Sequence, residues 1–187
     1  IPFADTQLHL PDFRSAEHLY HHLQSAISLV ATSTELGHIV LQTRLPVHHV
    51  MQAVTRQQPF LFYEHELAFR QAVGYPPFIH FIQTTVSGKD QSLVQEAARQ
   101  WIQVLTSQIT QLSPCNSSHL TTETSILGPI PSQTFKHRRV FRETILVKAA
   151  DLSYPKTAIR QTYEIMAQNT RFKGVSFGIN VDPVEVL

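Results

Sequence analysis

The densest chemistry in the 187 residues is cationic. Lys136-His137-Arg138-Arg139-Val140-Phe141-Arg142 places four permanent positive charges within seven residues, and Lys148 follows on what reads as the same strand. With Glu143 counted against them, these five cations leave a local net charge of +4. Guanidinium groups bind phosphate oxygens in pairs, and an aromatic ring beside them offers a face to an unpaired base. The pattern predicts a hairpin in which Lys136, Arg138, Arg139 and Arg142 contact phosphates, Phe141 stacks, and Lys148 contributes more weakly. The alternative is a solvated hairpin carrying ordinary surface charge.

Other constellations fall short of a site. His18, His21 and His22 stand at helical spacing, so one face could present two imidazoles, but a stable zinc site needs about four ligands and none is placed to complete it. His48 and His49 are adjacent and cannot share a helix face. Cys115, the single cysteine, lies in a Pro/Asn/Ser stretch with only His119 nearby. That excludes an internal disulfide framework and gives no strand-to-helix nucleophile elbow. Neither Gly-x-x-x-x-Gly-Lys-Ser/Thr nor Gly-x-Gly-x-x-Gly occurs, and there are six glycines in all, so no Gly-rich phosphate cradle is expected. Trp101, at a helical core position, reads as packing.

The elements that must position these residues divide the chain in two. Through Gln71 there are four basic and six acidic residues, with eight of the 11 histidines; the remainder holds 11 basic and eight acidic residues. Gly74-Tyr75-Pro76-Pro77 separates them, and paired prolines bar a continuing helix. Upstream, apolar residues at three- and four-residue steps predict a helix over Ser15–Ala31. A short buried strand is predicted at His38–Thr43, then helices at Val47–Arg56 and Phe62–Ala72. Helix, strand, helix is α/β-like but short of strands, as for the end of a sheet continued upstream. Downstream, strands are predicted at Ile79–Val86, Ile126–Pro131, Val140–Ala149 and Val175–Asp182, with helices at Ser92–Leu112 and Pro155–Asn169. That order is the split βαβ arrangement of ferredoxin-like domains, with both helices on one sheet face and the other face open. The composition, 42% hydrophobic and 16% charged, suits a folded soluble protein. No apolar run approaches the ~20 residues of a membrane helix, and no leader opens the chain. With Ile as the first residue, the expectation is a cytoplasmic piece of something longer.

Three stretches resemble the C-terminal end of the bacterial primosomal protein N-prime (PriA) family of replication-restart helicases. The first is Ala4-Asp5-Thr6 with Leu10-Pro11-Asp12-Phe13-Arg14-Ser15-Ala16-Glu17. The second runs from Gly37-His38-Ile39-Val40-Leu41-Gln42-Thr43, Pro46 and His48 through Phe62-Tyr63-Glu64-His65-Glu66-Leu67 and Arg70 to Gly74-Tyr75-Pro76-Pro77-Phe78. The third is Leu127-Gly128-Pro129, Phe141-Arg142, Ile145 and Lys148, closing on Val181-Asp182-Pro183. The resemblance implies an α+β chain: residues 1–45 as the end of a RecA-like helicase lobe, 46–76 as a helical connector, and 77–187 as a DNA-binding, ferredoxin-like C-terminal domain. It further implies forked or single-stranded DNA, single-strand-binding protein and a replicative helicase loader or other primosome proteins as partners. The zinc and ATP sites of the family would lie upstream, leaving no cofactor in this chain. A docking module for single-strand-binding protein or a loader, without direct DNA contact, is the second reading.

One departure has chemical weight. The family carries Gln-x-x-Gly-Arg-x-Gly-Arg, whose arginines reach the ATP phosphates, where this chain has Gln24-Ser25-Ala26-Ile27-Ser28-Leu29-Val30-Ala31. Arginine fingers stabilise charge on the transferring phosphoryl group and are worth orders of magnitude in rate. Ser28 and Ala31 supply no cation, so a non-enzymatic chain is expected.

Overall fold

The computed structural model describes residues 1–10, 12–31, 37–112, 124–131 and 140–184. They form two compact units, Ile1–Tyr75 and Pro76–Leu187.

The first unit is built on three helices, α1 (Ser15–Ala31), α2 (His49–Thr55) and α3 (Pro59–Val73). Pro59 opens α3, where its missing N–H costs nothing, and Gly74 closes it at φ +62° with its amide donating to Arg70 and Gln71 carbonyls. One core joins the helices: Leu19, Leu23, Val50, Val54 and Phe62 are buried together, with Tyr20 stacked on Phe62 at 4.1 Å. Residues 1–45 and 46–76 therefore share an interior. The strand predicted at His38–Thr43 does not form as one. Gln42 exchanges backbone hydrogen bonds with Ile1 and Ala4 (3.0 and 2.9 Å), a ladder too short to regularise the segment, and residues 37–43 carry no regular structure.

A charged network crosses this unit. Arg70 donates from Nε to Glu66 (2.8 Å) and from a terminal nitrogen to Glu17 (2.9 Å). Arg14 also reaches Glu17 (3.2 Å), and His49 Nε2 lies 3.2 Å from Glu66. Burial raises the Glu17 and Glu66 carboxyls, but hydrogen bonds from Arg14 and Arg70 on one, and from His49 and Arg70 on the other, more than offset it and hold both below 4.5. His48 caps α2 by accepting the Val50 N–H on Nδ1, and burial, aided by His49, lowers its pKa below 6.5. A lowered histidine favours the unfolded chain once protons bind, so its contribution holds above pH 6.5 and falls away below it. The lowered carboxylates contribute above pH 4.5 and lose that contribution as pH falls through their folded values. Acid titration of the urea midpoint, read by far-UV circular dichroism, is therefore expected to fall in two stages, below pH 6.5 and again below 4.5.

The second unit contains β1 (His80–Gly88), α4 (Gln91–Leu112), β2 (Ser125–Pro131), β3 (Phe141–Ala149), α5 (Ser153–Gln168) and β4 (Val175–Val181). The strands form one sheet in the order β2-β3-β1-β4, every neighbour antiparallel. Strand alternation sends Ile82, Val86, Ile145 and Val147 to one face, where they pack with Val94, Ala98, Trp101 and Leu105 of α4 and Ala158, Ile159 and Met166 of α5. The other face carries Gln83, Thr85, Ser87, Arg142, Leu146 and Lys148. Gly128, at φ +111°, lies where a Cβ would come within 2.7 Å of the Thr144 carbonyl. The register shift between Leu127 and Ile130 occurs there, so Leu127-Gly128-Pro129 is a bulge that only glycine fits.

Thr84 sits fully buried on the helix-covered face, and its hydroxyl has no hydrogen-bond partner among the described residues. An unmet buried hydroxyl costs ~1–3 kcal/mol, and valine keeps the shape while removing it. Thr84→Val is expected to stabilise by about 1 kcal/mol and raise Tm by roughly 2–4 °C, measured by thermal melting.

Candidate nucleic-acid interface

Of the six residues expected to bind nucleic acid, Lys136, Arg138 and Arg139 lie outside the described residues. Phe141, Arg142 and Lys148 all fall on β3, but they do not form one cluster. Adjacent strand residues point to opposite faces. Arg142 stands on the outward face opposite Ser87, while Phe141, opposite Gly88, packs partly buried against the core under the helices. The stacking role expected for Phe141 beside Arg142 therefore meets a geometric obstacle, because its ring and the guanidinium occupy different sides of the sheet.

Arg142 is exposed and makes no ion pair among the described residues. The neighbouring carboxylate does not neutralise it, because Glu143 turns to the helix-covered face. There burial raises the Glu143 pKa, against a hydrogen bond from Gln95 and the charge of Arg99. Lys148 lies six residues further along the same face, about 20 Å away at strand rise. Its ammonium sits 5.5 Å from the centre of the Phe81 ring, and burial lowers its pKa. Arg142 and Lys148 thus mark opposite ends of the outward face.

Between them runs a polar surface that charge counting alone does not reveal. The strand register aligns Arg142 with Ser87 and Ser176, and Leu146 with Gln83 and Asn180. The Ser87 and Ser176 hydroxyls are 2.8 Å apart. Two-residue alternation in β1 and β4 was the available signal for these groups. On β2, Leu127 and Ile130 add apolar surface, 42% and 46% exposed.

The stretch Gln24–Ala31 lies on α1. The Gln24 amide donates to the Tyr20 hydroxyl (3.1 Å), and Ser28 donates back to the Gln24 carbonyl (3.0 Å). Tyr20, Gln24, Ser28, Leu29, Pro59 and Tyr63 border an open cleft of about 720 Å³, and among the described residues no lysine or arginine lines it. Among the described residues, no helix is long and apolar enough to cross a membrane, and no three His, Cys, Asp or Glu side chains gather as metal ligands would.

Comparison with known proteins gives the chain its relatives. Replication restart protein PriA of Bacillus subtilis is 28% identical over 180 residues, covering 96% of this chain and 21% of its own length. The protein of the same name from Treponema pallidum is 29% identical over 188 residues (100% and 26%), and that from Chlamydia pneumoniae 27% over 181 residues (97% and 22%). The chain spans about a fifth to a quarter of the length of these curated relatives. The family described as the primosomal protein N C-terminal domain matches residues 71–184. That stretch contains the entire four-stranded sheet and both of its covering helices, and the chain belongs to this family.

Proposed function

We propose that this chain is the DNA-binding C-terminal portion of a PriA-like replication restart protein, acting in the cytoplasm on forked or single-stranded DNA and helping to reload the replicative helicase. In this reading residues 77–187 are a ferredoxin-like split βαβ domain, which the antiparallel order β2-β3-β1-β4 supports. The first unit derives from the end of a RecA-like lobe. The observation that carries the reading is Arg142: an exposed guanidinium on the sheet face away from the helices, with no carboxylate partner among the described residues, close after the basic run Lys136, Arg138 and Arg139. Single-strand-binding protein and a helicase loader are the protein partners this role calls for.

Fluorescence anisotropy with labelled forked, single-stranded and duplex DNA tests the proposal. Binding is expected to weaken steeply with salt, with log K falling by about 3 per tenfold rise if some four phosphates are engaged on a single strand. The exposed Leu127 and Ile130 favour a second reading, in which the same face docks single-strand-binding protein or a loader. A labelled acidic peptide that binds where DNA does not would select it.

Loss of both arginines from the Gln24–Ala31 stretch makes the parent protein non-catalytic in this reading. Full-length parent protein is expected to show no DNA-stimulated ATPase above its DNA-free rate, and a clear stimulation in a phosphate-release assay would contradict that.

A further inference from the structure

The strand register gathers positive charge at one end of the sheet. Gly88, the last residue of β1, pairs with Phe141 and Val175, the first residues of β3 and β4. Three cations therefore come to that end: Lys89 leaving β1, Arg142 one step into β3, and Lys173 in the turn leading into β4. All three are exposed, and none enters an ion pair among the described residues. In the sequence, the run Lys136, Arg138 and Arg139 leads into β3 just before Arg142.

The carboxylates of the unit do not cancel this charge. Asp90 caps α4, accepting from the Ser92 hydroxyl (2.6 Å) and the Leu93 amide (3.1 Å). Glu96 is held by Arg171 at 2.6 Å, and Glu143 is buried on the helix-covered face. Glu164 pairs with Arg160 on α5. Asp151 and Asp182 stand at the opposite end of the sheet, the first engaged by Ser153 and the second by His80 and the Phe81 amide. Lys89, Arg142 and Lys173 against Asp90 leave a local charge of +2.

A row of polar side chains crosses this end at right angles to the strands. Arg142 lies opposite Ser87, and Ser87 opposite Ser176, with the two hydroxyls 2.8 Å apart. From β3 to β4 the row covers two strand spacings, about 10 Å. Hydroxyls, and no carboxylate, lie between the cations.

We propose that Lys89 and Lys173 bind DNA phosphates together with Arg142, so that the nucleic acid crosses the sheet end from β3 over β1 to β4. The path rests on the DNA-binding reading proposed for this domain and adds two contacts outside the basic run. Charge selects the ligand: exposed cations around a hydroxyl floor complement a polyanion whose charges repeat along a line. A path lengthwise down β3 toward Lys148 would run over Leu146 and leave both lysines idle.

Anisotropy titrations of the 187-residue chain with labelled oligothymidine, at several salt concentrations, test the path. The double variant Lys89→Gln with Lys173→Gln is expected to bind about tenfold more weakly at about 0.15 M salt. Its plot of log K against log salt should flatten by about 1.4, two contacts at ~0.7 each. Lys156→Gln is the control. It removes an exposed lysine from the first turn of α5, at the acidic end of the sheet, and should change neither quantity. Thermal melts of both variants should match the parent. An unchanged slope in the double variant, or a loss per charge from Lys156→Gln as large as from the pair, would overturn the proposal and leave DNA binding itself in place. A parent chain whose binding shows no salt dependence would remove the DNA-binding reading, and this path with it.

Discussion

Arg70→Ala is expected to destabilise the helical unit by about 3–5 kcal/mol, the usual cost of removing one partner from a buried ion pair. Arg70 and Glu66 are both buried, and Arg70 is the group that joins Glu66 on α3 to Glu17 on α1. Deleting it leaves a carboxylate with His49 as its remaining partner in a site that water reaches poorly. The same change removes the guanidinium 5.6 Å from the centre of the Phe13 ring. Chemical denaturation followed by helix content measures the loss. A double change, Arg70→Met with Glu66→Leu, separates charge from packing. Replacing both buried charges by apolar groups of similar volume is often neutral, so this variant is expected to recover most of the stability. An Arg70→Ala protein as stable as the parent would show that the network contributes nothing net.

Replacing Arg138, Arg139 and Arg142 together by Ala should weaken single-stranded DNA binding about 50-fold near 0.15 M salt and flatten the salt slope by about 2. Each phosphate contact on a single strand adds ~0.7 to that slope. The thermal midpoint should hardly move, because Arg142 is exposed and pairs with no carboxylate among the described residues. Lys148→Ala is a useful contrast. Its ammonium sits over the Phe81 ring, so part of its effect should appear in stability, and its share of the salt slope should be smaller than that of Arg142. Anisotropy titrations at several salt concentrations, paired with thermal melts, read both quantities. Full binding by the triple variant would remove the basic hairpin from the interface.

Much of this architecture was legible in the residues because hydrophobic spacing decides it. Apolar steps of three and four placed α1 on Ser15–Ala31; β-branched and aromatic enrichment ending at a turn cluster marked β1, and two-residue alternation marked β4, so that the four strands of the sheet are located within about two residues at each end. Two features were not legible in that way. The β-branched run at His38–Thr43 reads as a buried strand, yet a strand is defined by its ladder, and among the described residues its only backbone pairing is with residues 1–4. α3 begins at Pro59, three residues before the Phe62 that spacing predicts, because Phe60 and Leu61 do not follow the stripe that begins at Phe62. At the candidate site, the periodicity that located β3 also separates Phe141 from Arg142. Treating the basic run as a cluster in sequence concealed a separation that the strand alternation already required.

The lone tryptophan of the chain gives the second unit an optical signature of its own. Trp101 is fully buried, stacked on Phe177 at 5.0 Å, and its indole nitrogen has no hydrogen-bond partner among the described residues. An indole held in such dry surroundings emits toward the blue and shifts red when water reaches it. Because α4 holds the ring against β4, intrinsic emission follows this sheet without any dye, and Phe177→Leu should alter its colour before it alters the fold.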